Sequence, residues 1–193
     1  MKITIFYAHP NKKGHSGAIL AEVLKILEDK GADFEFYDLY ASGYDPILKD
    51  EELYTMGNRQ VSEENRKLQA MISASNRLIF IYPVWWGSMP AILKGFFDRI
   101  FVSGFAFRYI NGIPHGLLKG KRADIFITTG ANRFLTWLIG NRAKKLIKWD
   151  IMRFCGIKAR VHQIGGCREL DEGKAREIKG RVRRALGWVV SNK

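Results

Sequence analysis

With 193 residues the chain is long enough for one domain with a sizeable core, and no apolar run in it reaches the length needed to span a bilayer. Its formal net charge of +13 admits nucleic acid or an acidic membrane surface as a partner, but no nucleic-acid recognition motif accompanies the charge, so no nucleic acid is expected. Two cysteines, Cys155 and Cys167, have neither metal-ligand nor redox spacing, so no metal is assigned, and a reducing cytoplasm fits them best. The opening Met1-Lys2 lacks the cleavage pattern of a secretory signal and is expected to be the mature start.

Taken in order, residues 2–8 read as a buried strand with Ile3, Ile5 and Phe6. Residues 9–17 form a polar loop with Pro10, Asn11 and Gly14. A helix follows at 16–30, with Ile19, Leu20, Val23, Leu24 and Leu27 on one side, and Gly31 stops it. Residues 33–39 are a second strand, and a long loop at 40–58 carries Tyr44, Pro46 and Tyr54. Residues 62–74 form a more polar helix started by Ser62. The apolar run 77–82 is a third strand, followed by the turn Pro83-Val84-Trp85-Trp86-Gly87. Ser88 is then read as an N-cap and Pro90 as a first-turn residue, with Leu93, Phe96, Phe97 and Ile100 recurring at helical spacing.

Residues 102–120 read as an irregular segment rich in glycine and aromatics. A strand at 122–128 ends in Thr128-Thr129-Gly130. Residues 132–154 read as a helix broken at Gly140 and ended by Gly156. A last strand covers 159–164, and a basic amphipathic helix covers 171–190. Strand and helix alternate five times, which predicts a single α/β domain over 1–193, a parallel sheet with helices on both faces. The basic excess collects at 142–148 and 174–184; such runs are usually solvated helix faces, and they also concentrate phosphorylated cofactors.

Two stretches carry chemistry. A phosphate needs backbone N–H donors, a helix N-terminus and hydroxyl or cationic partners. The loop from His9 to Gly17 supplies these through Ser16, Gly14, Gly17, Lys12, Lys13, His9 and His15, although a simple loop with Ser16 as N-cap accounts for it equally well. It contains neither G-x-G-x-x-G nor G-x-x-x-x-G-K-[ST]. The second stretch is the turn bearing Trp85 and Trp86. Core burial is the ordinary fate of such residues, but successive turn residues point different ways, so at least one indole is expected to line a cleft.

Pro83, Trp86, Pro90-Ala91-Ile92-Leu93-Lys94-Gly95, Phe97, Arg99, Phe101 and Phe105-Ala106 together resemble the flavodoxin-like NAD(P)H:quinone oxidoreductases, a family that includes bacterial flavin oxidoreductases and potassium-efflux ancillary subunits. The resemblance covers most of the chain. It implies a flavodoxin-like three-layer sandwich with strand order 2-1-3-4-5 and a ligand crevice where the first and third strands part, beside His9 and Pro83.

The resemblance further implies a flavin, FMN in preference to FAD, with NAD(P)H as electron donor. Family members carry a His at the end of the first strand and then a Ser-Phe-Asn-like run that holds the flavin's phosphate. Here His9 matches, whereas the later run reads His15-Ser16-Gly17 in a loop one residue longer. The cofactor set so implied is His9, His15, Ser16, Gly17, Pro83, Val84, Trp85, Trp86, Gly87, Thr128, Thr129 and Gly130, the last three being similar to the turn the family places over the flavin's pyrimidine end. Taken by itself that turn is an ordinary strand-to-helix connection. The implied reaction is ping-pong: NAD(P)H gives hydride to the flavin and leaves, and a quinone-like acceptor takes the same site.

Phe107 and Tyr109 match aromatics lining the family's acceptor pocket, and packing under a loop explains each equally well. Trp86, Tyr109 and Arg133 are the candidate catalytic residues. Mammalian members carry a Tyr and a His after the turn; here the run reads Asn132-Arg133-Phe134-Leu135-Thr136-Trp137, and Arg133 is the candidate to offset the charge of a reduced flavin. His115 and His162 stand apart from any cysteine or carboxylate cluster. A homodimer is implied, because family sites are completed by a second subunit. Alternative readings are a regulatory flavoprotein subunit of a membrane transport system, with the apolar and basic run 134–149 at a membrane surface, and an electron carrier, which the basic charge suits poorly.

Overall fold

The computed structural model describes residues 1–53, 60–138 and 140–189, apart from the side chain of Arg133. Tyr54, Val190 and that side chain therefore lie outside the described parts. In chain order the elements are β1 (Ile3–Tyr7), α1 (His15–Asp29), β2 (Phe34–Asp38), a 3₁₀ turn (Asp50–Glu52), α2 (Glu63–Ala74), β3 (Arg77–Pro83) and α3 (Ala91–Ile100). Then follow β4 (Phe107–Ile110), β5 (Ile113–Gly116), β6 (Arg122–Thr128), α4 (Arg133–Leu138), α5 (Arg142–Lys145), a π-helical stretch (Leu146–Arg153), β7 (Lys158–Ile164) and α6 (Glu172–Ala185).

Five strands pair in parallel in the order β2-β1-β3-β6-β7, the expected 2-1-3-4-5 topology with a hairpin inserted. The central strands are apolar on both faces because helices cover both. Phe6, Leu78, Phe80, Tyr82, Ile125 and Ile127 pack with α2, α3 and the π-helical stretch. Ile3, Ile5, Tyr7, Ile79, Ile81 and Phe126 pack with α1 and α6. All four residues read as the core stripe of α3, Leu93, Phe96, Phe97 and Ile100, are buried.

Three expectations are corrected. The segment 102–120 is not irregular throughout: β4 and β5 form an antiparallel hairpin in which Ile110 pairs with Ile113. Asn111 and Gly112 both take positive φ at its turn, and Asn-Gly between β-formers is the strongest short hairpin signal, overlooked in the sequence reading. Ser88 does not cap α3. It closes a tight turn with Trp85, each N–H donating to the other's carbonyl (2.9 and 3.0 Å), and Pro90 takes the N-cap position. The helix expected over 132–154 breaks as foreseen at Gly140, with Asn141 also at positive φ, but resumes with one α-turn and then π-helical bonding.

The long loop after β2 is tied down by a buried ion pair. Arg99 of α3 grips the Glu52 carboxylate with Nε at 2.7 Å and Nη2 at 2.8 Å, and also donates to the Asp45 carbonyl. Asn65 donates to Glu52 at 3.0 Å and accepts from the Tyr44 hydroxyl at 3.1 Å.

Candidate active site

The crevice lies where β1 and β3 part, at the carboxyl ends of the strands. It encloses about 230 Å³. His9, Gly14, His15 and Ser16 line one wall, Pro83, Val84 and Trp85 a second, and Thr128, Thr129, Gly130 and Cys167 a third. Nine of the predicted cofactor-binding residues therefore meet here: His9, His15, Ser16, Pro83, Val84, Trp85, Thr128, Thr129 and Gly130.

The α1 end of the crevice presents an open helix N-terminus. Gly14 is the extended N-cap, no side chain caps the helix, and its first turn holds no acidic residue. The first N–H groups of a helix have no intrahelical acceptor, so this end offers donors at the positive pole of the helix dipole. Ser16 sits inside the first turn, not at the cap, and its Oγ lies 3.2 Å from Thr128 Oγ1; both side chains are buried. Gly14 and Gly17 differ in what a side chain there would meet. A Cβ on Gly14 would meet nothing, whereas one on Gly17 would stand 1.7 Å from the Lys12 carbonyl oxygen, so the loop folds down onto bare backbone there.

The cationic partners divide: His9 and His15 line the crevice, and Lys12 is engaged elsewhere. Lys12 pairs with Asp38 of β2 at 2.7 Å and lies 5.6 Å from the Phe36 ring. His15 Nε2 donates to the Glu169 carbonyl at 3.1 Å. His9 does face the crevice. Its Nδ1 accepts the Asn11 N–H at 2.9 Å, which leaves Nε2 as the ring's donor.

The aromatic wall resolves the two tryptophans. Trp85 is 41% exposed, lines the crevice and lies 5.9 Å from the His9 ring. Trp86 stands wholly in solvent with φ +50, followed by Gly87 at φ +74, the paired positive angles of a two-residue reverse turn. Gly87 lines an adjoining cavity of about 430 Å³ with Val84, Thr129, Ala131, Thr136 and Arg142. Phe107 and Tyr109 line a third, apolar cavity of about 370 Å³ against Phe97, Phe101 and Phe154, away from the crevice of their own chain.

The wall at Cys167 was missed. Thr129 donates to the Ile164 carbonyl (3.0 Å) and accepts from Cys167 N–H (3.0 Å), while Gly166 N–H donates to Ala131 (3.1 Å), so the β7–α6 loop laces the Thr128–Gly130 turn in place. Burial raises the Cys167 thiol above its ordinary value. Nothing local marks this loop, which reaches the crevice only because β7 pairs with β6.

Fold and crevice define a doubly wound α/β protein with its binding cleft at the switch point of the sheet. The chain belongs to the family whose model is described as "Flavodoxin-like fold", which it matches over residues 1–186. It is 33% identical to a Haemophilus influenzae protein called "Uncharacterized NAD(P)H oxidoreductase", covering 92% of this chain and 89% of that one. It is 29% identical to human "Ribosyldihydronicotinamide dehydrogenase [quinone]", covering 91% and 86%. Among solved structures, an NAD(P)H:quinone oxidoreductase from Methanothermobacter marburgensis superposes with a TM-score of 0.83 at 26% identity, covering 96% of this chain and 94% of that one.

Proposed function

We propose that this protein is a flavin-dependent NAD(P)H oxidoreductase that passes two electrons to a quinone-like acceptor, with FMN as its flavin. The observation that carries this reading is the convergence, in one crevice, of an uncapped helix N-terminus, the Ser16–Thr128 hydroxyl pair and an indole face beside a tightly held turn. The residues fit the group. A single terminal phosphate suits one helix N-terminus with Ser16 and Thr128 beside it, and the closed-down backbone at Gly17 keeps side chains out of its path. Trp85 and the Pro83–Val84 backbone would wall one side of the ring, and Thr129 and Gly130 would hold its pyrimidine end. When bound, the flavin supplies reversible two-electron hydride exchange.

The chain's own part is binding, orientation and charge. His9, with Nε2 as donor, can hold an anionic oxygen at the crevice mouth. Arg133 begins α4 three residues past Gly130, and in this reading its charge offsets that of the reduced site. NAD(P)H and acceptor use the same crevice in turn, which is the ping-pong order. Human, guinea-pig and Haemophilus relatives bearing NAD(P)H or quinone dehydrogenase names support the substrate classes.

The reading includes a homodimer. Phe107 and Tyr109 do not reach the crevice of their own chain, and the β4–β5 hairpin leaves Tyr109, Ile110 and Ile113 59%, 40% and 62% exposed. A second copy would cover that hairpin and bring its aromatics over the crevice as the acceptor wall. The test is direct. Purified protein incubated with FMN should turn yellow, bleach under anaerobic NADH or NADPH, and regain colour with a quinone. Protein that stays colourless in excess FMN and FAD would overturn the assignment.

A further inference from the structure

A cavity of about 590 Å³ opens along β7, at the edge of the sheet, between α6 and the joint of α4 and α5. It shares no lining residue with the crevice described above. Arg160 and His162 enter it from β7, Arg181 and Arg184 from α6, Lys144 from α5, and Trp137 stands at its rim; among the described residues no carboxylate lines it.

The carboxylates behind it are already shared. Asp124, 1% exposed, accepts from Arg77 at 3.1 Å, Arg160 at 3.0 Å and His162 at 2.9 Å. His162, expected to lack a carboxylate partner, is thus fixed by one, and its ring stacks on Phe126 at 4.9 Å. Glu177 is divided between Lys174 at 2.7 Å and Arg181 at 2.8 Å. Among the described residues, Lys144 and Arg184 have no ion pair at all.

Lys144 and Arg184 stand without ion-pair partners beside Arg160 and Arg181, whose charges are already shared with Asp124 and Glu177, and a bound multivalent anion relieves the repulsion that remains. Guanidinium forks arriving from both a strand and a helix suit several phosphoryl oxygens better than one carboxylate. Trp137, 65% exposed at the rim, adds a flat surface on which a base can stack. The volume lies within the range of ordinary small-molecule sites.

We infer that this edge cavity is a second ligand site, separate from the redox crevice, that binds a nucleoside di- or triphosphate, with Arg160, Arg181, Arg184 and Lys144 on the phosphates and Trp137 against the base.

ATP and inorganic tripolyphosphate, titrated without magnesium into the full-length protein at low salt and followed by calorimetry, are the probes. Both should bind saturably, and ATP should also quench tryptophan fluorescence. The double variant Lys144→Glu/Arg184→Glu, which alters two surface groups outside the redox crevice, should lose at least tenfold in affinity for both while keeping its melting temperature and its flavin binding. Trp137→Ala should weaken ATP severalfold and leave tripolyphosphate unchanged. Absence of saturable binding to the unmodified protein, or unchanged affinity in the double variant, would overturn the site. Tripolyphosphate bound as tightly as ATP, with Trp137→Ala silent toward both, would overturn the nucleoside assignment. Tighter binding of a single-stranded oligonucleotide than of ATP would replace it with a nucleic-acid backbone. Flavin loading is scored separately, so failure here leaves the redox reading intact, and the converse also holds.

Discussion

Trp86 holds a left-handed backbone conformation that a bulky L-residue adopts only at a cost of about 1–2 kcal/mol, and its indole gains no burial in return. A residue that is strained and exposed is retained for something other than stability. Trp86→Gly is expected to raise stability by about 1 kcal/mol in urea titration while weakening flavin retention. Gly17 is the opposite case. Its missing side chain lets the Lys12 carbonyl close onto α1, and Gly17→Ala must push loop or helix aside. The cost expected is about 1–3 kcal/mol, with flavin affinity falling along with stability. Cys155 shows burial acting on chemistry. Its thiol is pushed up to about 12 by desolvation, so iodoacetamide at pH 8 should leave it unlabelled until the protein is denatured.

At the scale of elements, two carboxylates lock segments far apart in sequence. Glu52 fastens the loop after β2 to α3 through Arg99, with both side chains more than nine-tenths buried. Removing one partner of such a pair strands the other charge, so Glu52→Ala should cost about 3–5 kcal/mol in denaturant unfolding. Asp124 joins β3, β6 and β7 across the sheet. Burial alone would raise its carboxyl, but hydrogen bonds from His162 and Arg160, with their positive charge, outweigh burial and hold it below the ordinary 3.8. A carboxyl depressed in the folded state contributes stability that is fully present above its unfolded value and is lost as pH falls through the folded one. Stability measured against pH should therefore decline below about pH 4, and Asp124→Asn, less stable at neutral pH, should decline less steeply there.

For the whole molecule, the +13 charge and the exposed apolar hairpin bear on assembly. If the hairpin is the contact between two copies, light scattering should give twice the mass of the 22.1 kDa chain. Tyr109→Glu should then halve that mass and reduce acceptor turnover together. No described helix is long and apolar enough to cross a membrane; of the basic late segments, Lys144, Arg181 and Arg184 line the β7 cavity, while Lys174 and Arg183 pair with Glu177 and Glu22.

Alternation of apolar strands and amphipathic helices settled a parallel sheet covered on both faces, because that depends on periodicity and on the handedness of crossovers, which are local; the strand order and the place of the crevice came with the family resemblance. His9, Trp85 and Thr128 were legible because they stand at strand ends, and Ser16 because it lies in the first turn of the helix that follows the first of them. What only the tertiary structure decided was direction and company. Lys12 turned to Asp38, His15 to a loop carbonyl and Trp86 to water; Phe107 and Tyr109 went to a cavity of their own. Cys167 reached the crevice from the loop after β7, and the cations along β7 came together from α5, β7 and α6. A side chain's partner is set by which strands lie next to each other, and that is a property of the packed sheet and of no single stretch of chain.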